Sequence, residues 1–192
     1  MKRLVATLLL FGAAGCGRKA VPLPPFIEVP ETIVDLVAQQ DGTEVALTWS
    51  YPKLTRAGRA LTDLARVEVW RLEVPPGQES TGSGPGAEDL RRQLMLSRGL
   101  LLSRLEGDSL RDATRGDTLV ERDQLPELVP GRTPSTIWYA VRSRRRDGTA
   151  SALSNIVALR PKPVPAAVTG LHGEPGKEGI ALTWSALSGA SV

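Results

Sequence analysis

The sequence predicts an all-β protein, a β-sandwich interrupted by a helical insertion, on three observations. Runs such as Val45-Ala46-Leu47-Thr48-Trp49-Ser50 alternate apolar and polar residues, the period of a strand with one buried face. The composition, 41% hydrophobic with 19 Gly and 15 Pro in 192 residues, suits short strands joined by turns rather than long helices. Finally, Ile180-Ala181-Leu182-Thr183-Trp184-Ser185 repeats the first run 135 positions later, and Pro30 and Leu36 match Pro165 and Leu171 in the same register. The chain therefore divides into one complete unit, residues 31 to 160, and the start of a second. Val45, Leu47 and Trp49 share a face, which makes Trp49 the expected centre of the core.

Lys2 and Arg3, the apolar run Leu4 to Phe11 and the small residues from Gly12 to Gly15 have the layout of an exported leader over residues 1 to 15. Its apolar stretch, about 11 residues, is well short of the ~20 that span a bilayer as a helix. Ala13-Ala14-Gly15-Cys16 resembles the lipobox of bacterial lipoproteins, with Ala13 where the family usually has Leu. The resemblance implies that Cys16 is acylated and becomes the mature N-terminus, and Gly17 after it implies sorting to the outer membrane. The alternative is a cysteine standing by chance near the exit of an ordinary leader; against it, this is the chain's single Cys. Two or more acyl chains anchor a protein stably, at about 0.8 kcal/mol per buried methylene. Residues 16 to 30 then form a Pro-rich tether, and the prolines from Pro22 to Pro30 favour polyproline II, a reach of roughly 40 Å.

Within the module, Thr32 to Gln39 reads as a first strand, Asp41-Gly42 as a turn, and Val45 to Ser50 as a second strand stopped by Pro52. Arg66 to Leu72 alternates next, with Val67 and Val69 on one face and Trp70 on the other. Pro75 to Ala87 has the Gly, Pro and Ser content of a loop. The spacing of Leu90, Leu94, Leu101 and Leu105, with acids Glu88 and Asp89 at the start, predicts a helix over residues 87 to 105, laid on the sheet over Trp70 and Leu72. A lipid-seeking amphipathic helix is the alternative, and Arg91, Arg92 and Arg98 lack the wide basic face it needs. Thr118 to Arg122 resumes strand character, and Pro130-Gly131 makes a turn. Thr136 to Ser143 alternates with Ile137, Tyr139 and Val141 inward, Asp147-Gly148 makes a hairpin, and Ser151 to Leu159 returns before the prolines of the next linker.

In order, Leu47-Thr48-Trp49, Val67-Glu68-Val69-Trp70-Arg71 and Trp138-Tyr139-Ala140-Val141-Arg142-Ser143 with Asp147-Gly148, Ser151, Ser154 and Asn155 resemble the fibronectin type III modules of bacterial lipoproteins. The resemblance covers residues 30 to 160 and again 165 to 192. It implies an immunoglobulin-like sandwich whose second-strand core tryptophan is Trp49. Ile137 stands where the family usually places the tyrosine that ties its corner, and residues 73 to 116 are an insertion into the ~100-residue pattern. Residues 161 to 192 carry a linker and two further strand signals, at Ala167 to Leu171 and Gly179 to Trp184. Half of one sheet cannot bury Trp184, so the last 28 residues are expected to be poorly packed and the natural polypeptide to continue, the alternative being that the segment packs on the first module.

The residues argue against catalysis. His172 is the only His, expected in a solvated turn, and gives no zinc site with the single Cys; Gly82, Gly84 and Gly86 lack the Lys of a phosphate loop. No cofactor and no metal is expected. Removing Lys2 and Arg3 leaves 22 basic against 21 acidic residues, so a nucleic-acid partner is not implied. Arg115-Gly116-Asp117 spells an adhesion tripeptide, and also what an ordinary turn requires. Arg142, Arg144, Arg145 and Arg146 form a basic cluster at a hairpin tip, expected to be a solvated face, with contact to anionic headgroups or surface polysaccharide as the alternative. The expected function is non-enzymatic: an outer-membrane lipoprotein whose modules act as a spacer or as a protein- or glycan-interaction surface in the cell envelope. Alternatives are the membrane-anchoring part of a longer surface enzyme or polysaccharide-handling protein, and a soluble periplasmic binding protein.

Overall fold

A computed structural model describes residues 28–79, 86–129, 131–164, 167–177 and 179–185. The leader, Cys16, the tether up to residue 27 and Pro130 lie outside the described residues. Two four-stranded antiparallel sheets make up the module. The first has the order β1-β2-β6-β5, from β1 (Val37–Asp41), β2 (Glu44–Ser50), β5 (Thr114–Arg115) and β6 (Thr118–Gln124). The second has the order β4-β3-β7-β8, from β3 (Leu64–Val74), β4 (Leu100–Glu106), β7 (Thr136–Arg145) and β8 (Val157–Leu159). Helices α1 (Ala87–Arg98) and α2 (Gly107–Ala113) fall between β3 and β5 in the chain.

The alternation read from the sequence decides which side chains fill the space between the sheets. Val45, Leu47 and Trp49 of β2 and Leu119 of β6 meet Val67 and Val69 of β3 and Ile137, Tyr139 and Val141 of β7 in one buried cluster. Trp49 is 1% exposed. Fully burying side chains of this size contributes about 1.5 to 3 kcal/mol each. The opposite face of β3 and β7 carries a second cluster, in which Trp138, Ala140 and Val74 are covered by Met95 and Leu94 of α1, with Trp70 and Leu72 beside them. A central strand buried on both faces explains why β7 has no charged residue from Ile137 to Val141.

Several expectations are corrected. The helix ends at Arg98, and residues 100 to 106 form β4, paired antiparallel with β3. The turn out of the helix needs a residue without a side chain: Gly99 sits against the last turn, and a Cβ there would stand 2.4 Å from the Met95 carbonyl oxygen and 2.9 Å from its Sδ. Leu101 and Leu105 thus belong to the sheet, and the insertion supplies an edge strand as well as a covering helix. The first strand begins at Val37, not Thr32, since Ile33 and Leu36 tuck into the core ahead of the ladder. After the hairpin, pairing resumes as a short strand only at Val157. Before it, Ser151 and Ser154 replace ladder rungs: their Oγ atoms accept from the amides of Ser143 (3.1 Å) and Val141 (2.9 Å).

Near the C-terminus the strands are β9 (His172–Gly176) and β10 (Gly179–Thr183), so Ala167 to Leu171 is not a strand. Every described residue of this hairpin is exposed, and Trp184 is 58% exposed against 1% for its counterpart Trp49.

Replacing Gly99 with Ala is expected to cost about 2 kcal/mol or more, since the turn between α1 and β4 must open. The neighbouring Leu100→Ala, at a side chain 73% exposed, is expected to stay within about 0.5 kcal/mol. Urea denaturation of the two variants checks the contrast, and equal losses would show that the Gly99 contact does not constrain the fold.

Candidate interaction surface

The outer face of the second sheet gathers arginines about one buried carboxylate. Alternation along β3 sends Glu68, Trp70 and Leu72 to this face, and the register sets Arg142 beside Glu68 and Arg144 beside Arg66 on β7. Glu68 is 3% exposed and accepts from three guanidiniums. Arg142 donates through Nε (3.1 Å) and Nη2 (2.7 Å), Arg144 through Nε (2.9 Å) and Nη2 (3.4 Å), and Arg66 through Nε (3.1 Å). The Arg142 guanidinium also lies over the Trp70 ring, 5.4 Å from its centroid. Burial pushes the Glu68 carboxyl up, and the bonds from Arg144, Arg142 and Arg66 outweigh it, so its pKa falls from 4.5 to about 2. On β4, Arg104 is the register partner of Glu68 and is exposed.

The predicted basic cluster is therefore divided. Arg142 and Arg144 face Glu68, whereas Arg145 points the other way and pairs with Asp63 and Asp147, 2.7 and 3.2 Å away. Arg145 holds the Asp63 carboxyl below its usual range. Arg146 is exposed and donates its amide to the Asp63 carbonyl oxygen. Arg115-Gly116-Asp117 forms the tight turn between β5 and β6, with Gly116 at φ 61 and Asp117 paired with Lys53 at 2.7 Å. His172 is exposed as expected but lies in β9, opposite Thr183, rather than in a turn.

A second polar group bridges the two sheets. Arg71 of β3 donates to both oxygens of Asp123 on β6 (3.2 and 3.0 Å), and Tyr139 Oη on β7 donates to Asp123 Oδ2 at 2.6 Å. Burial and the neighbouring Asp123 carboxylate push the Tyr139 hydroxyl well above its usual range, so it stays protonated as a donor.

Sequence reasoning missed Glu68, Arg66 and Arg104 as members of one surface. Glu68 sits between two inward valines, so alternation placed it outward without naming its partners, and Arg104 was hidden in the expected helix. Among the described residues no group of three or more His, Cys, Asp and Glu is gathered in metal-binding proximity, and no helix is long and apolar enough to cross a membrane.

No protein-family model and no curated protein matches the chain. Among solved structures, a family 28 exopolygalacturonase of Yersinia enterocolitica aligns at 10% identity and a TM-score of 0.36, over 70% of this chain and 21% of that one. The chain thus spans about a fifth of that protein, and a likeness this low carries no argument about fold or activity.

Two outcomes are expected. Tyr139→Phe leaves a buried carboxylate short of a donor and should cost about 1 to 3 kcal/mol in urea unfolding at neutral pH. Glu68 contributes stability above its unfolded pKa near 4.5, and that contribution is lost as pH falls through the folded value near 2. Glu68→Gln should therefore be clearly less stable than the parent at pH 6, with the gap narrowing steadily between pH 4.5 and 2. A gap independent of pH would show that the carboxylate charge is not what the arginines hold.

Proposed function

We propose that the chain is a lipoprotein of the bacterial cell envelope, anchored in the outer membrane through acylated Cys16. In this reading residues 31 to 160 form a fibronectin type III-like sandwich that serves as a spacer and interaction surface rather than as an enzyme. Where the chain comes in and goes out is the observation that carries it. The chain comes in at Glu28–Pro30, where Arg145 at the end of β7 donates to the Glu28 carbonyl oxygen at 2.7 Å. Arg59 pairs with the Glu28 carboxylate at 2.7 Å, and Pro30 bridges to Thr55. It leaves after β8, whose Leu159 pairs with Ile137 at the opposite end of β7. Gln40 then fastens Lys162, accepting from its amide and donating to its carbonyl oxygen, both at 2.8 Å. From Ile137 to Arg145 is eight residue steps, roughly 26 Å of strand. A module fastened at opposite ends adds that length to the chain it sits in, as a spacer must, whereas one with adjacent ends adds almost none.

The family reading is supported by two antiparallel sheets, β1-β2-β6-β5 and β4-β3-β7-β8, packed over one core. It is supported too by the buried Trp49 and by the backbone bonds of Ser151, Ser154 and Asn155. Ile137 stands where the family has its corner tyrosine, and the Arg71–Asp123–Tyr139 group ties β3 and β7 to β6 of the facing sheet.

Cells expressing the full chain with radioactive palmitate test the anchor. The parent should be labelled and sediment with membranes, and Cys16→Ser should lose the label and move to the soluble fraction with its thermal unfolding unchanged. An unlabelled parent would end the lipoprotein reading.

A further inference from the structure

We propose that the outer face of the second sheet, at Arg66, Arg104, Arg142 and Arg144, binds a linear acidic polysaccharide bearing carboxylates along its length. This deepens the interaction-surface half of the function proposed above, rests on that half, and does not require acylation of Cys16. The argument begins with charge. Two carboxylates share this face, buried Glu68 and, opposite Arg66 on β4, Glu106; with Arg104 counted, they leave a surplus of positive charge among Arg66, Arg142 and Arg144. Each is partly exposed, at 31%, 19% and 23% of its side chain. Arg104 adds a fourth charge from β4, exposed and without a side-chain partner among the described residues.

Geometry turns this surplus into a site. The four arginines stand on three neighbouring strands, spaced about 4.8 Å across the sheet and about 6.6 Å between Arg142 and Arg144 along β7. Glu68 holds three of them through their Nε edges and the Gly148 carbonyl oxygen takes Arg144 Nη1 at 2.7 Å, so among the described residues the Nη atoms of Arg66 and the Nη1 of Arg142 are left without an acceptor. Planar, pre-oriented guanidiniums lose little entropy on meeting carboxylates. Of the anions such an array would attract, a flat bilayer is the poorer fit. Helix α1 rests on the same face, with Leu94 and Met95 against Trp70, Leu72, Trp138 and Ala140, and stands about 10 Å proud of the sheet. A planar surface resting on that helix is held off the arginines, whereas a chain one sugar wide lies along the step at its foot.

The test uses the full chain and its Cys16→Ser variant in detergent, titrated by calorimetry with alginate oligomers, with dextran of equal length, and with phosphatidylglycerol vesicles. Alginate should bind to both proteins, with affinity falling as salt rises, and dextran should not. Arg104→Ser should weaken alginate about fivefold, and Arg66→Gln with Arg144→Gln about tenfold or more, while Arg122→Ser on the other sheet leaves it unchanged. Because the double variant also loosens Glu68, its unfolding temperature is measured alongside; Arg104→Ser, at an unpartnered side chain, decides the matter if the double variant is unfolded. Equal binding by Arg104→Ser and the parent, equal binding of dextran, or binding of vesicles without alginate would each overturn the proposal. Loss of palmitate labelling at Cys16 with alginate binding intact would sink the anchor alone.

Discussion

The slab of side chains between the two sheets is what the rest of the structure depends on. Without an internal disulfide, the module is held by burial, and Trp49 is its largest contributor together with Tyr139. The indole is almost wholly enclosed, and its Nε1 finds no acceptor among the described residues. Leaving a buried donor unpaired costs about 1 to 3 kcal/mol. That cost is comparable to the gain from burying one such ring, so the position stabilises only as part of a buried cluster shared with Leu47 of the same strand, Leu119 of β6, and Val69 and Val141 of the facing sheet.

A greasy slab alone would let two sheets slide, and polar ties fix their offset. Asn155 accepts from the Leu36 amide at 3.0 Å and donates to the Leu36 carbonyl oxygen at 2.9 Å, imitating a strand neighbour with a side-chain amide. Gln40 does the same with Lys162 from the other direction. These two amides sew β1 to the segments flanking β8, closing one side of the slab where two sheet edges meet. Arg71 and Asp123 span the gap with opposite charges, and the Tyr139 hydroxyl completes the set of bonds on Asp123. Breaking such a buried group costs more than building it gains, so it serves register more than net stability.

How much of this was legible follows from the range of each interaction. Alternation within a strand is local, so Val45, Leu47, Trp49, Val67, Val69, Ile137, Tyr139 and Val141 read correctly as one interior. The four leucines from Leu90 to Leu105 fit a helical period across residues that are part helix, part strand. Gly99 interrupts that run in the sequence, but that the chain leaves the helix there, against Met95, and enters β4 is set by the fold. The arginine surface was half legible: Arg142 and Arg144 stood out as a cluster, but their shared carboxylate lies 74 and 76 positions away and is placed only by register. Arg145, adjacent in sequence, points to the opposite side and joins the clamp on Glu28, so a run of basic residues in a strand reads as two surfaces, not one.

The insertion and the arginine surface answer one constraint. β7 runs through the middle of its sheet, so both of its faces must be covered or made compatible with water. Toward Ile137 the outer face is apolar, Trp138 and Ala140, and α1 from the insertion covers it. Toward Arg145 the helix has ended, and the outer positions are Arg142 and Arg144, whose long side chains shield the sheet while their heads stay partly wet. Two adjacent cations on a strand repel, and Glu68 across the ladder permits them to stand together. The carboxylate neutralises only part of the charge it organises. A step of helix beside a patch of held, surplus guanidiniums is thus a consequence of how the central strand is covered, and it leaves the module one face chemically unlike all its others.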